Sequence, residues 1–121
     1  MKILIVEDEP NVHHAIAAIL KNDYFGVEID VAETGNSALA RYNTFGPYAL
    51  VITDYAHPGG LYADELVAAI RASNPQQAVL LQTGNAGDHI DAFIQRWKDI
   101  PYLSKPWKVA EFRALVKQLV A

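Results

Sequence analysis

Short apolar runs of four to six residues alternate along this chain with longer segments in which apolar residues recur at helical spacing. That alternation is the signature of successive strand–helix units wrapped around a parallel sheet, and five such units fit. The first strand reads as Ile3 to Val6. Pro10 then suits the opening turn of a helix through about Leu20, with Val12, Ile16, Ile19 and Leu20 facing inward. Gly26 resets the chain. In the second strand Val27, Ile29 and Val31 alternate with Glu28 and Asp30, so one face is wetter, as near a sheet edge. Thr34 is the expected N-cap of a helix to about Tyr42, which Gly46-Pro47 breaks.

Ala49 to Ile52 is apolar without interruption, the pattern of a central strand covered on both faces. A third helix is expected from about Tyr62 to Ala72, burying Leu66, Val67 and Ile70 before Asn74-Pro75. Ala78 to Leu81 forms the fourth strand. Asp88 is placed as the cap of a fourth helix through Trp97, with a thin stripe of Ile90, Phe93 and Ile94. Tyr102 to Ser104 is a short fifth strand. The last helix, from about Val109 to Val120, buries Phe112, Leu115, Val116 and Leu119. No repeat, low-complexity tract or Ser/Gly-rich linker divides the chain, so residues 1–121 are expected to form one domain.

Composition narrows the function classes. The 121 residues are 51% hydrophobic and 20% charged, as in a globular protein rather than a disordered or membrane-embedded one. Net charge is −4, from 14 acidic and 10 basic residues. Without a Lys/Arg cluster such a chain repels a polyanion, so direct nucleic-acid binding is not expected. The lack of cysteine excludes disulfides and thiolate zinc sites and suits a reducing cytoplasm. The apolar start ends after four residues at Glu7-Asp8-Glu9, too short for a signal peptide. No stretch approaches the roughly 20 residues of a membrane helix, so no membrane insertion is expected.

The chemistry lies at the ends of the strand-like runs. Glu7-Asp8, Asp54, Thr83 and Lys105-Pro106 each stand where one stops, and parallel strands would bring those ends together at the edge where open α/β sheets carry their sites. Three carboxylates about 5 Å apart would repel by roughly 3 kcal/mol per pair at an effective dielectric near 20, which calls for a cation. All-oxygen donors favour magnesium. Acidic residues in solvated loops are common, and Glu7-Asp8-Glu9 or Asp54 alone would read as surface. The joint placement at four strand ends, with Lys105 as counter-charge and Thr83 as donor, points instead to a magnesium and phosphoryl site.

The ordered set Val6-Glu7-Asp8-Glu9-Pro10, Leu50-Val51-Ile52-Thr53-Asp54 with Pro58 four residues on, Leu80-Leu81-Gln82-Thr83-Gly84 and Tyr102-Leu103-Ser104-Lys105-Pro106-Trp107 resembles the receiver (CheY-like) domain of bacterial two-component response regulators. The resemblance spans the whole chain. It implies a flavodoxin-like, doubly wound (βα)5 α/β fold: a five-stranded parallel sheet with helices on both faces. It also implies a phosphoacceptor switch in which Asp54 takes a phosphoryl group from a sensor histidine kinase or a histidine phosphotransfer protein. By the same resemblance Asp8, Asp54 and the Ala56 backbone carbonyl hold Mg2+, with Glu7 acting through metal-bound water. Lys105 would pair with the phosphoryl oxygens, Thr83 would hydrogen-bond one of them, and small Gly84 would leave the approach open. Such a domain is not an enzyme beyond its own phosphorylation and dephosphorylation.

Further implications concern output. Thr83 and Tyr102 are the implied switch residues, altering a face built from the fourth helix, fifth strand and fifth helix toward a downstream protein target. A phosphorylation-linked homodimer is left open by the sequence. The Lys105-Pro106 bond is expected to be cis. Trp97 and Trp107 flank that face and are read as packing residues before partner anchors.

Four features depart from the pattern. One extra residue stands between Pro58 and Ile70-Arg71, and Tyr62 takes a place where glycine is usual. Trp97-Lys98-Asp99-Ile100-Pro101 replaces a small Ala-Gly-Ala type turn. His57 sits where Met or Leu is commoner and is a candidate for tuning hydrolysis, although an ordinary loop side chain is the plainer reading. His13 and His14 are adjacent and diverge on a helix, so they cannot share a metal as an i, i+4 pair could. His89 is expected to be solvated.

Competing readings are weaker. No Gly-rich phosphate loop follows the first strand, which disfavours dinucleotide and flavin binding. A haloacid-dehalogenase-like phosphatase would carry a second acid two residues after the nucleophile, where this chain has Ala56. The remaining alternative is a receiver-like interaction module that works without phosphorylation.

Overall fold

A computed structural model describes residues 1–56, 60–84 and 88–121, at 88 and 89 without their side chains. The strands are β1 (Lys2–Val6), β2 (Glu28–Ala32), β3 (Leu50–Asp54), β4 (Val79–Thr83) and β5 (Tyr102–Ser104). Between and after them run the helices α1 (Pro10–Asp23), α2 (Gly35–Phe45), α3 (Ala63–Ser73), α4 (Asp88–Arg96) and α5 (Val109–Val120). All five strands pair in parallel in the order β2-β1-β3-β4-β5. The expected doubly wound architecture is therefore the observed one. β3 is central and buried at every residue, whereas β2 lies at an edge with Glu28 exposed.

Period-two alternation sorts the apolar side chains into two cores. Leu4, Val6, Val51, Val79 and Leu81 pack with Ala38, Tyr42, Leu66, Val67, Ile70, Ile90 and Phe93, so α2, α3 and α4 cover one face. Ile3, Ile5, Leu50, Ile52, Leu80 and Leu103 pack with Ile16, Leu20, Phe112 and Val116, which puts α1 and α5 on the other. Both expected stripes hold, although Val12, Ile19, Leu115 and Leu119 are only partly buried.

Several boundaries move. α1 and α2 run about one turn beyond their expected ends, because those final turns are solvated: Asn22-Asp23 and Asn43-Thr44 are polar and Phe45 is 52% exposed, so none extends a buried stripe. Both turns still close on backbone bonds, Tyr24 N to Leu20 O and Gly46 N to Tyr42 O, each 2.8 Å. Thr34 caps α2 as expected, its hydroxyl accepting from Ser37 N at 3.0 Å. Strands β3 and β4 reach Asp54 and Thr83, which are polar yet buried and remain in the ladder through the pairs Asp54↔Gln82 and Thr83↔Ser104. Gly26 supplies the one left-handed residue among those described, φ +74°.

Leu61 and Tyr62 of the unusual loop, and the turn after α4, are fastened down. Leu61 N donates to Asn36 Oδ1 at 2.8 Å, and its carbonyl lies so close to Gly35 that a Cβ there would stand 2.2 Å away. Tyr62 precedes α3, packs edge-on against Tyr55 and donates its N–H to Glu65 at 3.2 Å. At the end of α4 the Trp97 indole donates to Asp64 Oδ1 at 2.9 Å, while Arg96 pairs with the same oxygen at 3.1 Å. Arg71 and Arg96 both stand against the Trp97 ring, and Arg71 grips Asp99 through two bonds of 2.8 and 2.9 Å. Trp97 thus packs with the α2/α3/α4 core. Trp107 packs in the other, beside α5, so the two tryptophans lie on either side of the sheet and both pack, as expected from sequence.

Candidate functional site

Parallel register alone brings the acidic residues level. Val6 pairs with Thr53, so Glu7, the next residue, stands beside Asp54 at the carboxyl end of the sheet. Asp54 pairs in turn with Gln82, and Thr83 with Ser104, one residue before Lys105. The period of two then aims side chains: Ile5, Ile52, Leu80 and Leu103 face the α1/α5 core, and so do Glu7, Asp54, Gln82 and Lys105, two residues further along each strand.

Lys105 Nζ sits between the two buried carboxylates, 2.6 Å from Glu7 Oε1 and 2.7 Å from Asp54 Oδ1. Glu7 is wholly buried and also accepts from Glu9 N at 3.2 Å and Gln82 Nε2 at 3.4 Å. Asp54 is 8% exposed. Its Oδ1, though close to the ammonium, has no aligned hydrogen-bond donor among the described residues. Glu7, Asp8 and Asp54 each offer one oxygen, and the three lie within 4.8 Å of one another, with Asp8 exposed to solvent.

Burial pushes the Asp54 carboxyl up to about 7, and the neighbouring Glu7 adds to the rise while Lys105 opposes it. Burial raises Glu7 too, but its bonds to Asp54, Lys105 and the Glu9 amide outweigh that, leaving it below the usual range. For Lys105, burial is outweighed by the two carboxylates, and its pKa rises. The pocket therefore holds two carboxylates, one ammonium and a proton poised near neutrality on Asp54.

This donor set fits a divalent cation of the magnesium type. It is all oxygen, one carboxylate opens to solvent, and a buried carboxylate oxygen lacks an aligned donor. The other residues singled out from sequence fall nearby or at the adjoining edge. Thr83 ends β4 and is buried; Ala56 lies two residues past Asp54 and is exposed. A Cβ on Gly84 would meet nothing within 4 Å among the described residues. Tyr102, on edge strand β5, is 45% exposed. The Lys105-Pro106 bond is cis, and so is Gly46-Pro47, which had no sequence signal. His57 and Pro58, the cap role of Asp88 and the solvation of His89 lie outside the described residues.

Sequence reading passed over Gln82. It is 1% exposed, donates to Glu7 and accepts from the Trp107 indole at 3.1 Å. The signal was available: a polar residue at the position that continues the buried Ile52/Leu80 face of an otherwise apolar strand.

Comparison with known proteins agrees with this fold. The model of the response regulator receiver domain family matches residues 3–117. Response regulator Rre1 of Synechocystis is 31% identical over the full length of this chain, which spans 52% of that relative. Among solved structures, response regulator protein TrrA from Thermotoga maritima, in complex with Mg(2+)-BeF, is 32% identical with a TM-score of 0.81, covering 98% of this chain and 97% of that one. A response regulator receiver domain protein from Clostridium thermocellum is 26% identical with a TM-score of 0.83, covering 98% and 93%. A CheY-like receiver domain protein from Methanospirillum hungatei, 23% identical with a TM-score of 0.86 and covering 98% and 92%, shares the fold. Since the family match runs through all five strands and into α5, the chain belongs to the response regulator receiver domains, signalling switches of two-component systems rather than classical enzymes.

Proposed function

We propose that residues 1–121 act as one phosphoacceptor domain in which Asp54 accepts a phosphoryl group from a phosphohistidine donor, a sensor kinase or a phosphotransfer protein. The observation that carries this reading is Asp54 itself, a buried carboxylate 2.7 Å from the Lys105 ammonium and grouped with Glu7 and Asp8. Phosphoryl transfer asks a protein mainly to position its reactants and to stabilise charge on the equatorial oxygens. Asp8, Asp54 and the Ala56 carbonyl would hold magnesium directly, and Glu7 through water; the ion would supply charge neutralisation at the phosphoryl oxygens.

The chain's own groups do the rest. Ionised Asp54 offers the attacking oxygen, forming the new P–O bond as the phosphohistidine P–N bond breaks. Lys105, released from bridging two carboxylates, pairs with the phosphoryl oxygens, and the buried Thr83 hydroxyl donates to one of them. The added charge, roughly −1.5 to −2, is the signal. Thr83 and exposed Tyr102 carry it to the α4-β5-α5 face, where an output partner binds or a second copy pairs.

A phospho-affinity gel with a small phosphodonor and magnesium tests this directly. Native chain should shift, and Asp54→Asn should lose the shift completely while keeping its circular dichroism; a shift that persists in the variant removes Asp54 from the role.

A further inference from the structure

Beyond the residues already assigned, the acidic pocket has a wired exit toward α5. The Gln82 side chain lies between Glu7 and Trp107, all but sealed from solvent, donating from Nε2 to Glu7 Oε1 at 3.4 Å and accepting at Oε1 from Trp107 Nε1 at 3.1 Å. An indole N–H can only donate and an ionised carboxylate can only accept, so the amide is held in one orientation by its two neighbours. Trp107 in turn stacks on Phe112 of α5, ring centres 4.6 Å apart and planes 15° from parallel, and Phe112 is 1% exposed. Pocket carboxylate, amide, indole and helix core form one continuous chain of contacts.

We propose that Gln82 is a positioning residue for Glu7 and the link through which occupancy of the acidic pocket reaches Trp107 and the first turns of α5. The inference rests on the magnesium and phosphoryl reading of the pocket. Its logic is mechanical. An amide is a rigid plane with its donor at one end and its acceptor at the other, so it cannot follow a displacement of Glu7 without shifting the group that Trp107 holds. Glu7 shares Lys105 with Asp54, hence any cation or phosphoryl group that takes over Lys105 or the carboxylates rearranges the bonds that Gln82 senses. An apolar residue in place of Gln82 would leave Glu7 with Lys105 and the Glu9 amide as donors and would leave the indole N–H of Trp107 without its acceptor.

Two-dimensional 1H–15N spectra of the labelled full chain test the link, because the two tryptophan indoles give separate signals and Trp97, bonded to Asp64 on the opposite side of the sheet from Trp107, serves as an internal control. Titration of the native chain with magnesium should move the Trp107 indole signal in step with the backbone amides around Asp54, and Trp97 much less. In Gln82→Met, close in volume, the Trp107 response should vanish. The magnesium Kd should rise about three- to tenfold, the worth of one hydrogen bond of roughly 1 kcal/mol. Trp107→Phe, which keeps a ring over Phe112 and removes the N–H, should raise Kd about twofold by the same scale and silence the magnesium response of the Gln82 amide protons. This second variant decides the matter should Gln82→Met misfold. An unchanged Trp107 response or an unchanged Kd in Gln82→Met overturns the link while leaving the pocket reading standing. If no amide near Asp54 responds to magnesium in the native chain, the pocket reading falls and the link with it.

Discussion

Two buried polar clusters occupy opposite ends of β4, and they are built on opposite principles. At the amino end, Gln77 is saturated: its Oε1 accepts from Tyr42 Oη at 2.7 Å and Tyr48 N at 3.1 Å, and its Nε2 donates to Tyr48 O at 2.8 Å and Ala78 O at 3.0 Å. Asn74 and Asp30 extend the network to the same two tyrosines. At the carboxyl end, Asp54 and Glu7 share one ammonium, Asp54 Oδ1 lacks an aligned donor, and burial lifts the Asp54 pKa to about 7. The first cluster is complete without any ligand; the second is a set of charges waiting for more positive charge. A satisfied network holds shape, and a frustrated one is where binding energy can be released.

That contrast can be broken first at the satisfied end. Gln77→Leu should leave the Tyr42 hydroxyl proton without its acceptor and the Tyr48 backbone N–H and C=O without their side-chain partners in the core, costing about 3 kcal/mol in urea unfolding, with the magnesium affinity of the surviving folded state unchanged. A cost near zero would show that the amino-end network holds nothing.

The carboxyl end should behave with the opposite sign. An acid whose folded pKa is raised binds more protons folded than unfolded, so its charge erodes stability as pH climbs from about 4 through about 7. Lowered Glu7 contributes fully above its unfolded value of 4.5, and raised Lys105 stays protonated, so neither masks the effect between pH 5 and 8. Without divalent ions, Asp54→Asn should therefore be more stable than the native chain at pH 8 by on the order of 2 kcal/mol, with the gain shrinking toward pH 5. Thermal melts across that range measure it, and a gain that grows on acidification would reverse the assignment.

Magnesium gives the smallest of these effects. At about ten times its Kd it should stabilise the native chain by about 1.4 kcal/mol and be withdrawn by EDTA, whereas Asp8→Ala should lose most of that response. Equal stabilisation of both chains would place the ion elsewhere.

The strands were legible in the chain because those covered on both faces are apolar runs, and the βα alternation made the sheet parallel; their order β2-β1-β3-β4-β5 came from the structure. So was the pocket, since Glu7, Asp8, Asp54, Thr83 and Lys105 each sit at the end of such a run. Gln82 and Gln77 were not: a lone amide has no periodicity and no charge, and its meaning depends on partners such as Trp107 and Tyr42, 25 and 35 residues away. The overrunning last turns of α1 and α2 were hidden for a related reason, being held by backbone bonds that any solvated side chain permits. The clasp at Trp97 joins α3 to the turn after α4 through pairings that no local pattern encodes.

That clasp gives α4 a fulcrum. A rod pinned at one tip can answer a push only by swinging about the pin, so displacement along it scales with distance from Trp97 and is greatest at Asp88, the tip nearer Thr83. On the proposed switch reading, the long arm of α4 points back toward the hydroxyl that would sense the phosphoryl group.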